Sequence, residues 1–355
     1  LIPRPKTTNK KETHMNKQLL RRARTTDAFS TYDRRTIDSA GAFLIGELER
    51  LDPTMHEPLV SVMWSRDIQL REDVSLADET SSFSNSTFAA VGGVNPNGKA
   101  WIGKNSNAIS TVMLDIGKTA QPLTLWGMEL SYTIPELESA QRLGRPVDSQ
   151  KFEAIKLKHQ MDIDEAVYIG DTFLGTTGLI NNAGVTTTNV VANGSAHTTW
   201  ALKLSDDSTG NVGPTQILTD VNTLLNATWA AAGWAVCPSE LRIPPAQFAL
   251  LVSQKVSTAG NISLLQYLKD NSLSNSINGK PLNIQPSKWL TGAGTSSHDR
   301  MMAYTNDKSR VRFPLVPLQR TPLEYRSIYQ LTTYFGRLGI VEFVYKETAA
   351  YADGI

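Results

Sequence analysis

The stretch HQMDIDE, residues 159–165, gathers side chains able to do chemistry. His159, Asp162 and Glu165 fall at i, i+3 and i+6, so a helix would carry an imidazole and two carboxylates along one side. That donor set suits a divalent cation. The same spacing makes an ordinary polar stripe, with Lys158 and Asp162 paired at i, i+4, and this reading is preferred. Asp162 and Asp164 stand two residues apart, on different helical faces, which argues against a pair of catalytic acids. The other histidines, His14, His56, His197 and His298, are scattered. The single cysteine, Cys237, permits neither an intrachain disulfide nor a thiolate cluster. No His-Glu-x-x-His helix, zinc spacing, phosphate-binding glycine loop or Gly-x-Ser-x-Gly elbow occurs. NPNGK, residues 95–99, lacks the acid spacing of a calcium loop, and its Asn97-Gly98 pair suits the tip of a hairpin instead. These residues form no catalytic, cofactor-binding or metal-binding motif, although a missing motif does not exclude catalysis, because many sites assemble from scattered residues. A soluble hydrolase with a site assembled from scattered residues is the alternative of a different class.

Charge says more than motifs do. Over 355 residues the net charge is only +1, yet residues 1–24 carry eight basic side chains against one acid, Glu12. The eight are Arg4, Lys6, Lys10, Lys11, Lys17, Arg21, Arg22 and Arg24, giving this arm +7 and leaving −6 on the rest. A basic arm on a mildly acidic body suits a non-specific tether to nucleic acid, through phosphate charge and not base edges. No basic patch with interleaved aromatics occurs in the body. The chain has no apolar run long enough to cross a bilayer, so no transmembrane helix is expected. The basic arm lacks the apolar core of a signal peptide, and export is not indicated.

Hydrophobic spacing then sets out the elements that must position any site. Ile37, Ala40, Leu44, Leu48 and Leu51 predict a helix within residues 27–52. From Pro58 the alternation of Val60, Val62, Trp64, Ile68 and Leu70 predicts a strand, and Val112, Leu114 and Ile116 predict another. Residues 66–116 are expected to form a long hairpin-like excursion whose 25-residue limbs could reach ~80 Å. Its glycine- and asparagine-rich loop, residues 88–107, is too long and polar for a compact domain. LWGMELSYT (125–133) alternates as a strand. Helices are predicted from Pro135 and from Asp148 to about Ile169. The second is apolar on two faces, as if sandwiched between layers. Residues 171–213 read as turns and a Ser/Thr/Asn-rich stretch. Pro214 to Gly233 brackets a helix with Ile217, Leu218, Val221, Leu224, Leu225, Trp229 and Ala232 on one stripe. Short strands and helices follow, and Val341, Phe343 and Tyr345 predict a β tail. This mixture without regular βαβ alternation is α+β.

The order of these parts resembles the HK97-like fold of tailed-bacteriophage major capsid proteins. WSRDIQLREDVSLADETSSF (64–83) resembles the start of that family's extended loop, and LWGMELSYTIPELESA (125–140) the strand that runs into its spine helix. YIGDTFLGTTGLINNAGV (168–185) resembles the exit from that helix. The resemblance implies an amino-terminal arm and helix (1–57), the extended loop with flanking strands (58–132) and the peripheral-domain spine helix (133–171). An axial domain (172–330) and a return to the peripheral sheet (331–355) complete it. It implies a structural protein, without cofactors or enzymatic turnover, that assembles with itself, as hexamers and pentamers, into an icosahedral head enclosing double-stranded DNA. The place implied is the virion, after assembly in the host cytoplasm, and the further partners are portal, scaffold or decoration proteins, with no membrane. Trp64, Trp101 and Ile102 are the expected apolar contacts between subunits, and the eight basic residues of the arm would face the DNA. Some relatives link subunits through a Lys–Asn isopeptide bond, and Lys99 or Lys104 would be placed for one, although a solvated lysine is the preferred reading. An encapsulin-like compartment would share the fold and is the nearer alternative.

Overall fold

The computed structural model describes residues 60–91, 104, 111–143, 147–206, 212–256 and 262–355. The basic arm, the helix expected within 27–52, Lys99, Trp101 and Ile102 lie outside these residues.

The described chain begins with a single helical turn, α1 (Trp64–Asp67), and a short strand, β1 (Gln69–Arg71). The strand expected from Pro58 is therefore corrected. Met63 and Trp64 donate their backbone N–H groups to Asp164 Oδ1 at 2.8 and 3.0 Å. A carboxylate a hundred residues away thus satisfies the free donors of the turn, overriding a local period of two. The next pair, β2 (Thr80–Val91) and β3 (Thr111–Pro122), forms an antiparallel ribbon in unbroken register from Thr80↔Pro122 to Val91↔Thr111. Pairing begins at Thr80 and not near Arg66, because residues 69–71 are spent on the body, in parallel with Arg312–Pro314. Twelve-residue strands at ~3.4 Å per residue reach ~40 Å, half the expected length.

β4 (Thr124–Thr133) follows where alternation predicts it, then α2 (Ile134–Leu143) and the long α3 (Val147–Tyr168). Ile155, His159, Ile163 and Val167 recur every four residues along α3 and are buried. On the other expected face Met161 is exposed and Leu157 half-buried, but Tyr168 is buried, so that face is only partly covered. Gly170, at φ +80°, turns the chain out of α3, and a Cβ there would sit 2.5 Å from Thr176 O.

β5 (Thr186–Asn189) precedes α4 (Trp200–Ser205), a helix hidden in the stretch read as turns. Fully buried Trp200 anchors it, donating Nε1–H to Asp220 Oδ2 at 3.1 Å. α5 (Gly213–Ala231) buries Ile217, Val221, Leu224 and Leu225 of its predicted stripe, leaves Leu218 and Trp229 half-buried, and stops before Gly233 at φ +63°. β6 (Glu240–Ile243), α6 (Pro245–Ser253), α7 (Leu264–Asn271), α8 (Leu273–Asn278) and β7 (Asn283–Pro286) follow. The hydroxyls of Ser263 and Ser272 cap α7 and α8. Strands β8 (Arg300–Tyr304), β9 (Val311–Arg320), β10 (Glu324–Arg326), β11 (Tyr329–Leu338), β12 (Glu342–Phe343) and β13 (Ala349–Asp353) complete the chain.

Two sheets organise these strands. The six-stranded one places β11 between β4 and β9, with β10, β12 and β1 paired at its margins. The five-stranded one runs β5-β13-β8-β6-β7. One core lies where α3 meets β8, β9 and the segment around Trp64, filled by Ile163, Val167, Phe313 and Phe343. A second packs α5, α6 and α7 on the five-stranded sheet around Leu224, Leu225, Leu241 and Ile284. Residues 331–355, expected to return to one sheet, divide: β11 and β12 stay in the six-stranded sheet, and β13 enters the other. Ala350 and Ala352, alternate residues of β13 in the second core, are small enough to let α5 approach that sheet closely.

Candidate functional site

The side chains that suggested metal chemistry are committed elsewhere. Asp162 accepts from Lys158 Nζ at 2.5 Å and from Trp126 Nε1 at 2.8 Å, the first being the ion pair expected from spacing. His159 is buried, its ring 4.7 Å from that of Trp126 and edge-on to it. Burial lowers its pKa below the ordinary 6.5, with the nearby Asp162 charge opposing the shift. Asp164 points inward, capping α1 with one oxygen and accepting from Trp289 Nε1 (2.7 Å) and Lys288 with the other. Among the described residues no three of His, Cys, Asp and Glu converge as a metal site would require. A cleft of about 370 Å³ beside α3 is lined by Trp126, Asp162, Glu165, Ile169 and Leu338. Its Asp162 is already paired, and no serine, cysteine, lysine or histidine lines it.

Trp64, expected between subunits, is buried in the chain's own core and donates Nε1–H to Gln160 at 2.9 Å. That correction follows from α1: a helical turn swings the indole onto α3 where a strand would have pointed it outward. Trp101, Ile102, Lys99 and the eight basic residues of the arm lie outside the described residues, and Lys104 is exposed.

The ribbon presents the unusual surface. β2 and β3 pack chiefly on each other. Along β3, Val112, Leu114 and Ile116 are 72%, 62% and 64% exposed and share one face, and Met113 is exposed on the other. Their alternation was legible, but as a strand and not as a contact surface. The overlooked signal was the opposing limb, TSSFSNST (80–87), too polar to bury the ribbon against its own body.

At the ribbon's root the side chains become dense and charged. Glu342 on β12 is fully buried and accepts from Arg312 Nε at 2.7 Å, from Arg71 Nη1 at 3.1 Å and from the Ser81 hydroxyl. Arg71 also donates to Ser81 Oγ, to Ser82 O and, through a two-pronged fork, to Asp73. That fork holds the Asp73 carboxyl below its ordinary range. On the other limb Leu123 is buried, and its N–H donates to Glu79 O at 2.9 Å. Arg337 Nη1 donates to Leu123 O at 3.2 Å. Charged partners at opposite signs satisfy each other here, as buried ions must.

A second network ties α1 and the end of α3 to the five-stranded sheet. Asp67 is fully buried and accepts from Arg66 (2.7 Å), Arg242 (2.8 Å) and the Tyr168 hydroxyl, while Tyr304 donates to its backbone oxygen. Burial and the Asp67 charge push the Tyr168 phenol well above its usual value. All of these are structural contacts.

Comparison with known folds fits this geometry. The capsid of Myoviridae phage XM1 aligns with a TM-score of 0.66 at 15% identity, covering 89% of this chain and all of that one. The capsid of an empty GTA particle aligns at 0.52 and 13% identity, covering 86% and 94%. Gordonia phage Cozz aligns at 0.51 and 13% identity, covering 88% and 96%. No curated protein matches the chain. These likenesses give the HK97-like fold expected from the order of parts. The major capsid protein family matches residues 98–355. The hydrolase and compartment alternatives are not favoured. With ribbon, long helix and both sheets arranged as that fold requires and a family match over most of its length, the chain belongs to the major capsid protein family, and its role is structural, as a building unit of a capsid shell.

Proposed function

We propose that the β2–β3 ribbon lies over an adjacent copy of the chain, and that copies gather as hexamers and pentamers of an icosahedral phage head. In this reading the six-stranded sheet with α3 is the peripheral domain, and the five-stranded sheet with α5 is the axial domain. The basic arm, residues 1–24, faces packaged double-stranded DNA. Assembly takes place in the host cytoplasm, where portal, scaffold and decoration proteins would be the other partners.

One observation carries the reading: the exposed stripe Val112, Leu114 and Ile116 on a ribbon with little else to pack against. A two-stranded hairpin is marginal in water by itself. Covering apolar surface returns roughly 25 cal/mol per Å², and obligate interfaces commonly exceed about 2,000 Å². A second copy supplies that cover. The test replaces all three residues by serine and examines the purified protein by negative-stain microscopy. Folded subunits that form no shells are expected, and normal shells would refute the proposal. Shells that hold DNA and not a cargo enzyme separate a phage head from a compartment.

A further inference from the structure

The ribbon leaves the body through a narrow root whose two limbs are held differently. Leu123 on the β3 side is wedged against Pro314 and Gly339, where a Cβ on Gly339 would come within 3.0 Å of it. On the β2 side the hold is polar and directional. Glu342 comes from β12, Arg312 from β9 and Arg71 from β1, all strands of the body, and together they grip Ser81 and the carbonyl of Ser82. Beyond this point Asn85 makes a 3.5 Å contact with Val344 O near the root.

We infer that Glu342 is a positioning residue: through Arg71 and Ser81 it fixes the angle at which the ribbon departs from the body. Apolar packing alone would let a flat ribbon slide or tilt, since it has no preferred direction. Charge-assisted hydrogen bonds impose one, and forked guanidinium geometry sharpens it. The cluster is also balanced, with Arg71 and Arg312 facing Glu342 and Asp73, so it holds its geometry without a stray buried charge. An arm of ~40 Å amplifies any tilt at its root, so where the apolar stripe lands on a neighbour depends on these few bonds. That consequence rests on the proposed contact with a neighbouring copy, but the angle itself belongs to the single chain.

Single-molecule energy transfer reads the angle directly. Dyes are attached to the full chain at Met113→Cys on the ribbon and Glu153→Cys on α3, at dilutions where chains diffuse singly. Cys237 does not compete, because it is buried and burial pushes its thiol up to about 11. The parent should give one narrow peak. Arg71→Met, which keeps the stem and removes the fork, should shift and broaden it, with Arg71→Lys falling between. Ser81→Ala, which deletes one hydroxyl, keeps the test open if Arg71→Met fails to fold, and it too should broaden the peak. A Ser81→Ala peak as narrow as the parent's, or an unchanged peak in folded Arg71→Met, overturns the inference. Broadened peaks with normal shells would leave the hinge standing and sink the neighbour contact instead.

Discussion

His159 looked like a metal donor because a sequence shows what lies along a helix and not what lies across from it. Trp126, from β4, covers the imidazole and donates to Asp162, and neither fact leaves a trace in residue spacing. The burial has a measurable result. Because its folded pKa is lowered, the unfolded chain takes up a proton below about pH 6.5 that the folded chain resists. Stability should therefore fall as pH drops through that region, with no further loss from this group below its folded pKa. His159→Phe keeps a ring against Trp126 and removes the titration. Thermal melts of parent and variant should run parallel above pH 6.5 and diverge below it, the parent losing more. Parallel curves throughout would show that the imidazole is not the group responsible. Asp164 makes the same point in another way: it was set aside as half of a catalytic pair, and it caps a turn a hundred residues away.

Elements were legible where their own residues decide them. α5 announces itself by Pro214, a complete apolar stripe and Gly233, and β4 by strict alternation. α1 was misread because Val60, Val62 and Trp64 satisfy a strand period while the deciding cap comes from α3. α4 went unseen because it is six residues long and held by one tryptophan and one buried aspartate. The ribbon was foreseen as an excursion but given too much length, since β1 reads like its continuation and pairs with β9 instead. The exit from α3 is set locally by Gly170. At φ +80° a side chain is strained, and its Cβ would collide with the Thr176 carbonyl. Gly170→Ala should cost at least ~2 kcal/mol in a denaturant titration. A loss within a few tenths would mean that the turn after α3 adapts freely.

For the whole molecule, charge is divided as sharply as packing. An arm of +7 and a remainder of −6 make a chain whose small net charge of +1 conceals two oppositely charged parts. Copies of the body repel only mildly, which suits crowding in a shell, while the arm retains a long-range attraction for phosphate. Removing residues 1–24 should leave shells intact under the microscope but reduce retained DNA, with the loss greatest at low ionic strength, where unscreened charge counts most. Unchanged genome retention would remove the arm from that role.

β13 lies between β5 and β8 although it follows β5 by more than a hundred and fifty positions. Translation must run at least to Asp353 before β5 is joined to the rest of that sheet. A ribosome-bound chain can seat α5 on β8 and the neighbouring helices, but the part of its apolar stripe that packs on β13 stays uncovered until then. The order of synthesis thus delays completion of this sheet and its core until Asp353 has emerged, and polypeptides cut short before Ala349 should be cleared by proteases instead of poisoning growing shells.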